Sequence, residues 1–135
     1  MTAGLAARKG FRINDAAHRD EHSLEVQLPF LQKVLTDFEI VPIVYGAMNP
    51  QETAEALLPY LQRDDTLLVV SADLSHYYTY EEAQAADRET AAKIKEVSPE
   101  IGYHQSCGAG GINSALILAQ MMRCLLYTSP SPRDR

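Results

Sequence analysis

Leu24, Leu28, Leu31 and Leu35 recur at helical spacing, so the sequence predicts an amphipathic helix over residues 22–36, kinked where Pro29 removes one backbone hydrogen bond. The run FEIVPIVY at 38–45 is apolar and rich in β-branched residues, which predicts a buried strand ended by Gly46, with Pro42 marking an edge or a bulge. Asn49 and Pro50 have the character of an N-cap and a first helical residue. Ala54, Leu57, Leu58 and Leu61 then keep one helical face to about Arg63. TLLVV at 66–70 is short and continuously apolar, the pattern of a central parallel strand covered on both sides.

Thr79 and Glu82 form a capping-box signature ahead of Ala83, Ala86, Thr90, Ile94 and Val97, which share one helical face, and Ser98-Pro99 ends that helix. After a glycine-rich turn, residues 112–122 form a helix that is apolar on most sides and should be buried. Helices alternating with apolar β-type runs predict an α/β layered fold.

The length of 135 residues allows one domain or part of one, and 46% hydrophobic with 22% charged residues is the balance of a chain with a packed core. A net charge of −6 argues against a broad grip on nucleic acid or anionic lipid. No apolar stretch reaches the roughly 18 residues of a membrane span, and no signal-peptide core is visible, so a cytoplasmic location is expected. Cys107 and Cys124 are too few for a disulfide framework and are expected as reduced thiols. The last stretch, LLYTSPSPRDR, resembles a translated adapter, so residues 125–135 are expected to be a disordered, non-native tail.

In open α/β sheets ligands gather beyond the carboxyl ends of the strands, where the strand reading places residues 71–76. Asp73 and His76 lie three apart there and offer a carboxylate and an imidazole to a metal or a polarised substrate. The ordinary alternative has Asp73 capping a turn and His76 as a loop histidine. Cys107 begins a CGAGG turn leading into a helix, as a thiolate ligand, a nucleophile or a small buried hydrophobe. Asn113 stands where a dinucleotide-binding loop would need its third glycine, which excludes that use. His104 reads as a surface residue. Glu21 and His22 stand at the start of the first predicted helix, and Tyr77, Tyr78 and Tyr80 follow His76 as a pocket wall or a loop edge.

Three strings in order, EHSLEVQLPFLQ (21–32), SADLSHYYTYEEA (71–83) and SCGAGGINSAL (106–116), resemble the Memo-like family, known in bacteria and archaea as AmmeMemoRadiSam system protein B. The resemblance spans nearly the whole chain up to about Met122. It implies an α/β fold, part of a class III extradiol dioxygenase-like domain with a mixed or parallel sheet flanked by helices. It also implies a metal site in which Asp73, His76 and Cys107 take part, with Glu21 and His22 in the same pocket.

The implied cofactor is Fe(II), with copper or zinc as alternatives because a soft thiolate suits them. The implied partners are a radical SAM protein and an AMMECR-type protein. The histidine motifs of the family's upstream half, of Pro-His-Ala-Gly-Tyr and Gly-Pro-Ser-His-His type, do not occur here. Residues 1–124 are therefore expected to be the C-terminal half of a Memo-like domain. Two functions follow as expectations: a metal-dependent, dioxygenase-like oxidoreductase in the intact protein, or a non-catalytic protein that holds metal or docks partners and is inactive as this piece.

Overall fold

The computed structural model describes residues 1–123, so the tail expected at 125–135 lies outside the described residues, as does Cys124. The elements in order are α1 (Thr2–Ala6), α2 (Asp15–Arg19), a 3-10 turn (Glu25–Gln27), α3 (Leu28–Val34), α4 (Pro50–Leu61), α5 (Tyr80–Lys95) and α6 (Ala109–Met121).

Local chemistry explains the longer helices. Asn49 Oδ1 accepts the Gln51 N–H at 2.8 Å and Pro50 takes the first helical position, so α4 starts where an amide is missing in any case. Glu82 Oε2 accepts both the backbone N–H of Thr79, at 3.0 Å, and its hydroxyl, at 2.7 Å, which fixes the start of α5. Those bonds hold the Glu82 carboxyl below its usual pKa. At the other end, Ser98 N–H bonds Lys93 O at 2.9 Å and Val97 N–H bonds Ile94 O at 3.0 Å, the paired bonds of a Schellman stop. Val97 occupies the left-handed position there, with φ of 56°, where glycine is the usual residue.

α4 packs on α6, and their contact holds one core cluster of Leu5, Ala54, Leu57 and Leu118. A second cluster of Ile101, Ala109, Ile112 and Leu116 joins the start of α6 to the region after α5. Every residue of α6 from Ala109 to Ala119 is at least half-buried, as its all-round apolar sequence requires.

Among the described residues there is no β-strand, and this overturns the expected α/β fold with its mixed or parallel sheet of class III extradiol dioxygenase-like type. The two apolar runs alternate in part, as strands would. Val41, Ile43 and Leu68 pack on the α4–α6 core, whereas Ile40 and Val69 face solvent and Leu67 is 71% exposed. Period-two burial and β-branched side chains record how a segment lies on one face. A strand also requires a neighbouring segment about 4.8 Å away that exchanges N–H···O=C bonds with it, and residues 38–45 and 66–70 form no such ladder among the described residues.

The helix expected over 22–36 is also shorter and divided. Pro29 stands in the first turn of α3, where its missing amide costs nothing, so it helps to begin that helix and does not kink it. Its outer side is open, with Phe30 at 72% and Val34 at 76% exposure.

Candidate functional site

Residues 71–76 follow the apolar run 66–70 without regular structure, yet three side chains from three different places hold them. Gln27, at the end of the 3-10 turn, donates from Nε2 to Ser71 Oγ at 2.9 Å. Asp87, on α5, accepts the Ser75 N–H through Oδ1 at 2.9 Å. Ser106 donates its hydroxyl to the Asp73 carbonyl oxygen at 2.6 Å. A loop backbone without a ladder is fixed by such bonds, because they satisfy its polar groups one at a time.

Within the loop, His76 Nδ1 lies 2.9 Å from the Leu74 carbonyl oxygen. A carbonyl only accepts, so Nδ1 carries the proton, and the lone pair of the neutral ring is on Nε2. Nε2 faces Asp73 Oδ2 at 3.8 Å. Tyr77, next in sequence, has φ of 63°, a strained conformation for an aromatic residue, and its ring lies 5.9 Å from the His76 ring. The Ser75 hydroxyl oxygen is enclosed without a hydrogen-bond partner among the described residues, an arrangement that costs about 1–3 kcal/mol and adds nothing to stability.

Cys107 reaches the same place from 34 residues away. Its Sγ lies 3.9 Å from the Asp73 carbonyl oxygen, and the side chain is exposed. Cys107 thus meets the Asp73 backbone and the Asp73 carboxylate faces His76, but among the described residues no three His, Cys, Asp or Glu side chains converge as a set able to hold a metal ion. Glu21 and His22 bond within their own segment. Glu21 Oε1 accepts the Ser23 N–H at 2.8 Å, which holds its carboxyl below the usual pKa, and His22 Nδ1 bonds Glu25 Oε1 at 2.8 Å. Their segment meets the Asp73 loop through Gln27.

The Asp73–His76 face offers a small cation two donor atoms, fewer than the three or four protein ligands of a metal centre. Two lone-pair atoms 3.8 Å apart repel unless a proton or a metal lies between them, and metal bonds of about 2.0–2.2 Å to nitrogen and oxygen span that gap. A ring proton held by a backbone carbonyl is also the usual support of a metal-ligating histidine. The face is open to water, with the Asp73 side chain 87% and the His76 side chain 40% exposed. A groove of about 950 Å³ lies elsewhere, between α1, α2 and residues 41–48, and carries His18, Arg12 and Arg19.

Sequence reasoning missed Gln27, Asp87 and Ser106. Only Ser106 had a signal, its place before the Cys-Gly turn.

The sequence profile of the Memo-like protein family matches residues 3–126. The chain is 36% identical over 118 residues to a MEMO1 family protein of Methanobrevibacter smithii, covering 78% of this chain and 42% of that protein. It is 34% identical over 124 residues to a MEMO1 family protein of Saccharolobus solfataricus, covering 82% and 44%. A third relative, a MEMO1 family protein of Aquifex aeolicus, is 35% identical over 120 residues, covering 78% and 45%. The chain thus spans less than half the length of these curated relatives. No solved structure matches it.

Proposed function

Because this chain belongs to the Memo-like protein family, we propose that it binds a divalent metal of the Fe(II) type through Asp73 and His76, with Cys107 as a further donor. The single observation that supports this most is the His76 ring, tied at Nδ1 to Leu74 O and turning Nε2 toward Asp73 Oδ2. His76 supplies a borderline nitrogen donor, Asp73 a hard oxygen donor and Cys107 a soft sulfur, a mixture that suits iron and also admits zinc or copper. Bound iron would supply a Lewis acid and a one-electron centre.

In a protein of the relatives' full length this set is one part of a larger site. The activity proposed there is oxidoreductase chemistry of a dioxygenase-like kind, as an AmmeMemoRadiSam system protein B working with a radical SAM protein and an AMMECR-type protein. The second reading is metal holding without turnover. The openness of the face favours it for this chain, since catalytic centres of that kind exclude water, whereas Asp73 here is almost fully exposed.

Anaerobic Fe(II) titration of the chain and of His76→Ala, Asp73→Ala and Cys107→Ala tests the proposal. Loss of either His76 or Asp73 should weaken binding at least roughly tenfold, the lower end of what even indirect metal-site partners contribute. Equal affinity in all four proteins would refute the assignment. Oxygen uptake with a catechol that disappears in His76→Ala would decide between the two readings in favour of turnover.

A further inference from the structure

The α3 region is apolar on two sides. Leu24, Leu28 and Leu31 are half-buried, whereas Val26, Phe30 and Val34, spaced four apart, form a stripe on the other side with 51%, 72% and 76% exposure. A helix that is apolar on opposite sides is normally covered on both. The charge around the stripe is acidic: residues 20–40 carry five Asp or Glu, among them the exposed Glu25, Asp37 and Glu39, against the single Lys33.

The groove between α1, α2 and residues 41–48 shares this apolar character and has the opposite charge. Phe11, Ile13 and Ile43 line it, and Ile13 is 74% exposed. Arg12 and Arg19 line it as well, and neither guanidinium has a carboxylate partner among the described residues. Residues 1–19 hold four of the twelve Lys and Arg residues of the chain and, in Asp15, one of its eighteen Asp and Glu residues, so the groove is a cationic surface on an acidic chain. Its volume of about 950 Å³ is that of a site for a drug-sized ligand, with room for the few side chains on one face of a short helix.

We propose that this groove receives the Val26–Phe30–Val34 face of a second copy of the chain. The apolar stripe fills the apolar groove, and Glu25, Asp37 and Glu39 supply the anions that Arg12 and Arg19 lack. Opposite charges select this pairing, and like charges oppose groove against groove or α3 against α3. Because the two surfaces are different parts of one chain, the contact is head to tail. Each copy that joins leaves one groove and one α3 face open, so association grows stepwise with concentration unless it closes into a ring. The inference is independent of metal binding at Asp73 and His76.

Sedimentation velocity of the full chain tests this with two variants, Arg12→Glu with Arg19→Glu in the groove and Phe30→Ala with Val34→Ala on α3. Each alone should associate at least roughly tenfold more weakly than the wild type, the effect of losing an interface charge pair or apolar anchor. An equimolar mixture should recover a 1:1 dimer that neither variant forms alone, because the intact α3 of the first meets the intact groove of the second. Wild-type association should also weaken between about 0.05 M and about 0.5 M salt, as the facing charges are screened.

Misfolding would also weaken association, but a misfolded variant could not recover the dimer on mixing. A monomer at every concentration overturns the proposal, and so does association that either variant leaves unchanged. It is overturned equally by a mixture that stays monomeric while both variants keep the wild-type helical signal, or by association that strengthens with salt. If Arg12→Glu with Arg19→Glu does not fold, Arg12→Gln with Arg19→Gln takes its place under the same expectations.

Discussion

Arg63 donates to both oxygens of Asp65, from Nε at 2.9 Å and from Nη2 at 2.7 Å, and the Thr66 hydroxyl adds a third bond at 3.1 Å. These hydrogen bonds hold the Asp65 carboxyl down at about 2, from an ordinary value of 3.8. A folded-state pKa below the unfolded one means stability that is complete above the unfolded value and disappears as pH falls through the folded one. The advantage of the wild type over Asp65→Asn in thermal melting should therefore be constant at neutral pH and vanish between about pH 4 and about pH 2. It should also shrink in high salt, since the pair is exposed. A gap that widens on acidification would show that the pair is absent in solution.

The candidate site divides at the same scale. Asp73 and His76 are three residues apart and fall together by spacing, so that half was legible. Cys107 comes from 34 residues away; its glycine-rich turn marked it as a candidate donor, and only the resemblance of three ordered motifs grouped it with the other two. The Ser106 bond to the Asp73 carbonyl oxygen follows from how two irregular segments meet, which no periodicity encodes.

Elements were legible where their chemistry is local. Asn49-Pro50, Thr79 with Glu82, and Ser98-Pro99 mark ends that depend on one turn of backbone, and α4 and α5 begin or end there. The apolar runs at 38–45 and 66–70 were misread because a strand is a relation between two segments, and hydrophobic alternation reports only one of them. α1 and α2 are each five residues long, too short for a helical period to stand out.

The α4–α6 contact should carry most of the stability. Leu118 is 2% exposed in its centre, so Leu118→Ala should cost about 2–5 kcal/mol in denaturant unfolding. Phe30→Ala, on the open side of α3, should change stability by no more than about 0.5 kcal/mol. Similar losses at both positions would mean that α3 is covered in solution.

For the molecule as a whole, surface area is the informative quantity. The chain exposes 10169 Å², whereas a compact monomer of its 15.0 kDa mass exposes roughly 7,000 Å². Twelve fully solvated residues, as many as lie outside the described part, add at most about 1,900 Å² to that, so the excess belongs in part to the described residues. Phe30, Val34, Leu67 and Val69 are among the apolar side chains that contribute to it, and the backbone of residues 66–70 is not paired in a sheet. Apolar side chains beside unpaired backbone favour association between copies, because contact hides the first and satisfies the second. The purified chain should therefore sediment as a concentration-dependent mixture of monomer and larger species. Leu67→Lys together with Val69→Thr, which adds charge and polarity on the exposed side of residues 66–70, should shift that mixture toward monomer without lowering the melting temperature. A single monomeric boundary across the concentration range would show that these surfaces do not drive association, and that the excess area lies in groups too scattered to form a contact.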